Sequence, residues 1–182
     1  MSTRKWRRGS TEGSGQQGRG EGGLVFLSPE WVREVARAVE AARRSDEYFR
    51  RLSSAFSLSV MYSIAGLPAP LRALYGGKGE ATIFVDLVKG QLRKLEVGDS
   101  ACPGRADFVV TSDYATVWRI FRGELSPTRA FAEGLLRVEP AASVYRRPGF
   151  TARTLVVAGI VLRQARRVAT RLVENGSPSE PV

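Results

Sequence analysis

The stretch 56–64 constrains the fold more than any other part of the chain. Phe56, Leu58, Val60, Tyr62 and Ile64 alternate there with Ser57, Ser59, Met61 and Ser63. In an extended chain successive side chains point to opposite faces, so this alternation predicts a strand with one apolar and one small polar face. Such a strand belongs to a sheet covered on one side. Ala81–Val88 and Gln91–Val97 read as two more strands, joined through the tight hairpin turn Lys89-Gly90. Ala106–Thr111 and Leu135–Glu139 read as strands as well. Short turns join the central strands, and strands and helices do not alternate regularly. The pattern predicts an α+β fold with an antiparallel or mixed sheet and helices on one face, not a doubly wound parallel sheet.

Helix signals surround these strands. Ser28-Pro29-Glu30 supplies an N-cap, a proline for the first turn and an acid for the positive end of the dipole. Trp31, Val32, Val35, Ala36 and Val39 follow at helical spacing. Ser45 reads as the cap of a second, short helix reaching about Leu52. Leu71–Tyr75 fits either a short strand or an irregular piece. Thr111 or Ser112 is expected to cap a helix holding Tyr114, Val117, Trp118 and Phe121, which Gly123 ends in the left-handed conformation. Ser126-Pro127 opens a short helix with Ala130 and Phe131, and 140–150 reads as loop. A closing helix is expected from about Ala152 to Glu174. Its first half, Leu155–Leu162, is apolar all round, so it must be covered or must cover something. Its second half carries Arg163, Arg166, Arg167 and Arg171.

Residues 1–23 are mostly Gly, Ser, Gln and charge, too poor in apolar surface to offset the entropy of ordering. They are expected to form a disordered basic tail, either a solubilising leader or a tether to anionic surfaces. The domain is expected over 24–176, with a short disordered tail at 177–182. Arg7-Arg8 resembles an export signal, but Gly and Ser follow where an apolar stretch is required. No apolar run reaches the roughly 18–20 residues that span a bilayer. A cytoplasmic protein is the expectation.

Charge and residue usage narrow the chemistry. Lys and Arg number 28 against 18 Asp and Glu, a net charge of +10 that favours anionic partners. A GC-rich genome or a hot habitat produces the same arginine bias without any function attached. Cys102 is the one cysteine, so no intramolecular disulfide can form. The chain has no histidine, which removes Ser-His-Asp and Cys-His catalysis, histidine metal ligation and the usual base near neutral pH. Gly13-Ser14-Gly15-Gln16-Gln17-Gly18 matches a dinucleotide fingerprint, but it lacks the preceding strand and following helix that make one work. Gly98-Asp99-Ser100-Ala101-Cys102 falls short of a nucleophile elbow, with no base to activate Ser100. Asn175-Gly176-Ser177 reads as a helix end rather than a glycosylation site. The carboxylates Asp86, Glu96, Asp107, Asp113, Glu124, Glu133 and Glu139 show no shared spacing. No catalytic residue, metal or cofactor is expected.

The run 106–140 is similar to the central signature of the sterol-carrier-protein-2 lipid-binding family. The elements that carry the likeness are Ala106-Asp107-Phe108, Trp118, Gly123-Glu124-Leu125-Ser126-Pro127, Ala130-Phe131, Gly134 and Leu135-Leu136-Arg137-Val138. The hairpin Phe84–Gly90 and the opening Ser28-Pro29-Glu30-Trp31 resemble family members too. Arg137-Val138-Glu139-Pro140 departs from the basic-x-x-Gly-Asp that members often carry there. The resemblance spans roughly 28–173 and is specific over 106–140. It implies a five-stranded sheet with helices on one side, enclosing an apolar cavity for fatty acyl chains, acyl-CoA or sterol-like lipids, and no catalytic residues.

Periodicity combined with that architecture nominates Trp31, Val35, Val60, Tyr62, Phe84, Trp118, Phe121, Leu125, Phe131, Leu135, Val157 and Val161 as lipid-facing. Leu155–Leu162 is the expected lid. The functional expectation is a non-catalytic lipid carrier, with a fatty acid, acyl-CoA or sterol-like lipid as ligand and an anionic membrane surface as a further partner. No specific nucleic acid is expected. The competing readings are a basic module binding anionic surfaces or nucleic acid, and an accessory domain working through protein partners.

Overall fold

The computed structural model describes residues 23–98, 106–141 and 148–173. In chain order the elements are β1 (Leu24–Val25), α1 (Pro29–Ser45), α2 (Glu47–Ser53), β2 (Leu58–Ala65), α3 (Ala69–Leu74), β3 (Glu80–Val88), β4 (Gln91–Val97), β5 (Phe108–Asp113), α4 (Tyr114–Arg122), α5 (Pro127–Ala132), β6 (Arg137–Glu139), α6 (Pro148–Ala165) and β7 (Thr170–Arg171). The fingerprint-like glycines, Ser100, Cys102, the sequon and both expected tails, save Gly23, lie outside the described residues.

The alternating stretch becomes β2, the middle strand of a mixed sheet ordered β4-β3-β2-β5-β6. β2 pairs antiparallel with β3 but parallel with β5, and only the β2–β5 pair departs from the antiparallel pattern. The hairpin turn forms where Lys89-Gly90 is written. Both residues have positive φ, 49° and 73°, as a two-residue turn matched to strand twist requires. Gly90 is doubly needed: a Cβ there would sit 2.5 Å from the Ser53 carbonyl oxygen.

Register assigns the faces. Leu58, Val60, Tyr62 and Ile64 of β2 share a face with Leu87, Val85, Ile83 and Ala81 of β3 and with Phe108, Val110 and Ser112 of β5. The helices pack on this side: Trp31, Val32, Tyr114 and Phe121 join Ile64, Ala81 and Ile83 in the main core. Ser59, Met61 and Ser63 take the other face, opposite Asp86, Phe84 and Thr82. That face is not uniformly small and polar, because Met61 and Phe84 pair there and are 1% and 7% exposed. Alternation in β2 alone hides this, since Met61 is flanked by serines and its apolar partner lies on another strand.

Several boundaries move for local reasons. Ser28 caps α1 as expected, accepting from the Trp31 N–H at 3.1 Å. Asp46, not Ser45, caps α2: the Asp46 carboxylate accepts from the Phe49 N–H, while the Ser45 hydroxyl turns back to the Ala41 and Ala42 carbonyls. Asp113, not Thr111 or Ser112, caps α4 by accepting from the Thr116 N–H at 2.7 Å. Leu71–Tyr75 is largely helical, since Pro68 and Pro70 start α3 where a strand would need their missing donors. β6 starts only at Arg137, because the Leu135 and Leu136 N–H groups bond back to the Ala130 carbonyl.

The closing helix also ends early. After Ala165 the backbone tightens into turns, with Arg167 and Val168 N–H groups bonding to Gln164 and Ala165 carbonyls. The β-branched Val168 and Thr170 then favour extended chain. Thr170–Arg171 pairs in parallel with Leu24–Val25, and the Trp31 indole N–H donates to the Thr170 hydroxyl at 2.8 Å. Arg171 therefore leaves the helix on which it was expected.

Candidate functional site

The helix-side face of the sheet is unevenly filled. At the Ile64 end, Ile64, Ala81 and Ile83 are 5%, 0% and 7% exposed. They meet Phe26, whose ring contacts Trp31, Tyr114, Trp118 and Phe121 at centroid distances of 4.9–5.7 Å. A second, smaller cluster joins Ile120, Leu125 and Ala130 with Leu135, Leu136 and Leu162. Elsewhere on the face Val60, Phe108 and Val110 are half-buried, and Tyr62, on the middle strand, is 38% exposed.

The path of α6 bears on this gap. Near its start, the Phe150 ring lies 5.3 Å from Phe56 and stacks at 6.3 Å on Phe108, which pairs with Val60. At its end, Ala165 is buried in the core that holds Ile64. Phe150 to Ala165 spans about 22 Å of helix, and Leu58 to Ile64 about 20 Å of strand. The start of the helix therefore lies beside the Val60–Phe108 end of the sheet, and its end enters the core that also holds Ile64. Its main packing partners are α1 and α2. From Leu155 to Leu162 every residue is half-buried or exposed, with Leu155 and Val156 at 40% and 46%.

Tyr62 is at once reachable and crowded. Its exposed area would suit a surface residue, yet burial by surrounding protein raises its phenol pKa above the ordinary value. Tyr75 differs. It is 3% exposed, its hydroxyl donates to the Leu27 carbonyl at 2.6 Å, and burial, helped by Glu30, raises its pKa strongly. Burial also raises the pKa of Tyr114, partly offset by a backbone hydrogen bond at Val173.

The nominated residues fall into separate groups. Val60 and Tyr62 sit on the accessible part of the sheet, and Val157 and Val161 are half-buried on α6. Trp31, Phe121 and the half-buried Val35 and Trp118 belong to the main core, and Leu125 and Leu135 to the second cluster. Phe131 is half-buried on α5. Phe84 lies on the opposite face of the sheet from Val60 and Tyr62. The sequence reading missed Phe108 and Val110, which only the parallel β2–β5 register brings beside Val60 and Tyr62. It also missed Phe150, hidden behind Pro148-Gly149 in apparent loop.

The end of α6 is firmly tied. The Arg166 guanidinium donates to the Phe121 carbonyl and, at 3.0 Å, to the Ile120 carbonyl, satisfying groups at the end of α4. Gly123, at φ 83°, makes room: a Cβ there would stand 3.2 Å from the Arg166 guanidinium. At the other end of the domain the buried Arg43 pairs with Glu40, whose carboxylate also accepts from the Leu92 N–H at 3.1 Å, joining α1 to β4.

Known structures share the fold. A conserved hypothetical protein from Thermus thermophilus, described as possibly a sterol carrier protein, superposes with a TM-score of 0.60 at 23% identity, over 86% of this chain and all of that one. A crystal structure of sterol carrier protein 2 matches with a TM-score of 0.56 at 24% identity, over 77% of this chain and 96% of the other. The chain has the sterol-carrier fold. No protein-family profile matches the sequence, and no curated protein does. Within this sterol-carrier fold, and among the described residues, no group of three or more His, Cys, Asp or Glu side chains is placed to hold a metal ion. Among the same residues no helix is long and apolar enough to cross a membrane.

Proposed function

We propose that the protein is a non-catalytic lipid carrier whose ligand lies between the helix-side face of β2, β3 and β5 and the apolar half of α6. The observation that carries this reading is Tyr62: on the middle strand and the helix side of the sheet it is 38% exposed, beside the half-buried Val60 and Val110. Val60, Phe108, Val110, Val157 and Val161 are half-buried apolar neighbours or facing candidates for the same space. The likeness in fold to sterol carrier protein 2 supports it.

The mechanism needs no reacting group. An acyl chain gains about 0.8 kcal/mol for each CH₂ moved out of water, less the cost of ordering it. Exclusion of water from an apolar slot supplies affinity, and α6 acts as the cover. Its tied end holds position through Arg166 and the β1–β7 pairing, whereas aromatic contacts of Phe150 hold the start. The ligand passes by way of the Phe56–Phe108–Phe150 cluster.

Native mass spectrometry of the purified protein, with solvent extraction of bound lipid, tests this. A stoichiometric acyl or sterol-like lipid that rebinds after delipidation is the expected result. A protein that retains no lipid and refuses fatty acids, acyl-CoA and sterols when they are offered is not a carrier.

A further inference from the structure

The helix-side face of the sheet is almost wholly apolar. Its paired positions on β2, β3, β5 and β6 are Leu58, Val60, Tyr62, Ile64, Ala81, Ile83, Val85, Leu87, Phe108, Val110, Ser112 and Val138. Two of these side chains carry a polar group. The Ser112 hydroxyl is engaged, donating to the Leu135 carbonyl at 2.9 Å. The Tyr62 hydroxyl makes no hydrogen bond with a described residue, and no Lys or Arg stands at a paired position of this face.

Accepting the carrier reading, we infer that Tyr62 is the polar anchor of the ligand site, and that the site selects an uncharged lipid oxygen, an alcohol or ester, over an ionised carboxylate. Three physical points carry this. Tyr62 is 38% exposed, so water can reach its hydroxyl in the free protein; a ligand that fills the slot displaces that water, and the hydrogen bond is lost unless the ligand brings a partner. Burial keeps the phenol protonated, so it can donate to a carbonyl or exchange donor and acceptor roles with an alcohol. A carboxylate brought to the same floor would lose hydration and find no Lys or Arg at the paired strand positions, so its charged form is disfavoured there. The acyl chain supplies affinity, and Tyr62 sets which oxygen-bearing lipids are retained.

The test compares the full-length protein with Tyr62→Phe, which keeps the ring and removes the hydroxyl. Diphenylhexatriene, a hydrocarbon fluorophore, reports occupancy, and dodecanol, methyl dodecanoate, dodecane and dodecanoate compete for it. Comparing each competitor between the two proteins cancels its solubility. The expected result is a loss of about fivefold to tenfold in the variant for dodecanol and methyl dodecanoate, which is about 1 to 1.4 kcal/mol and the size of one neutral hydrogen bond. Dodecane, dodecanoate and the fluorophore itself should change less than about twofold, well inside one such bond. Equal affinities for every ligand in both proteins, a uniform loss, or a loss confined to dodecanoate would each overturn the anchor while leaving the carrier reading intact. If neither the fluorophore nor any competitor binds the wild-type protein, the carrier reading falls and the anchor with it.

Discussion

Replacing Val60 with Phe separates an open slot from a filled core without any ligand. Val60 is half-buried on the helix-side face, one paired position along from Tyr62 and opposite Phe108. In a close-packed interior the larger ring forces neighbours off their rotamers and costs about 1–3 kcal/mol. Over an open floor the extra carbons find space. At about 0.8 kcal/mol per buried CH₂, covering half of the four added carbons stabilises by roughly 1.5 kcal/mol. The two cases therefore differ in sign. Ile64→Phe is the internal control, because Ile64 is 5% exposed in the main core and has no such room. In a domain of this size 1 kcal/mol moves Tm by about 2–4 °C. Thermal unfolding followed by circular dichroism should show Ile64→Phe lowered by roughly 2–12 °C and Val60→Phe unchanged or raised by a few degrees. Val60→Phe should also weaken lipid binding, having filled part of the slot. A Val60→Phe protein as destabilised as Ile64→Phe would mean that this part of the sheet is ordinary core.

Three further outcomes follow from the same geometry. Tyr62, Tyr75 and Tyr114 all have pKa values raised by burial, so the folded state keeps protons that the unfolded chain gives up near pH 10; stability should be full below pH 10 and fall as pH rises above it, by up to about 1.4 kcal/mol per pH unit for Tyr75 alone, and urea midpoints that stay flat from pH 9 to 11 would contradict this. Arg166→Met removes both donors to the end of α4; because Arg166 is itself exposed, water replaces part of the loss, and the cost in urea denaturation should be about 0.5–1.5 kcal/mol, whereas a loss no greater than that of Arg163→Met would mean that the tie is decorative. Phe150→Ala removes the ring packed on Phe56 and Phe108 and should speed fluorophore release several-fold in stopped-flow chase; an unchanged release rate would move the route elsewhere.

The fold was legible wherever a signal was local. Alternation in 56–64, the Lys89-Gly90 turn, the Ser-Pro openings of α1 and α5 and the glycine ending α4 each fix one element through its own residues, and the structure has all of them. The helix caps slipped by one or two residues because serine, threonine and aspartate compete for the same N–H groups, and the carboxylates of Asp46 and Asp113 won both times. Longer-range pairing was less accessible. The β-branched Val168 and Thr170 favour extended chain, but nothing within Val168–Leu172 names Leu24–Val25 as the partner, nearly the whole domain away in sequence.

The candidate site shows why residue type identifies a lining poorly and register identifies it well. Phe84 and Tyr62 look alike in sequence, as aromatics in neighbouring apolar strands. The antiparallel register sets Tyr62 against Ile83 and Phe84 against Met61, and that one-residue difference sends the two rings to opposite sides of the sheet. The same parity brings in Phe108 and Val110, because the parallel β5 aligns them with Val60 and Tyr62. An apolar slot has no fixed spacing of catalytic or ligating groups to betray it. What would mark the proposed slot is incomplete packing: an apolar helix in which no residue between Leu155 and Leu162 is fully buried, and a middle strand whose tyrosine is still exposed. A missing contact leaves no trace in composition or periodicity, so the sequence reveals the elements around the proposed slot, while only the pairing of β2 with β3 and β5 assigns the residues of its proposed floor.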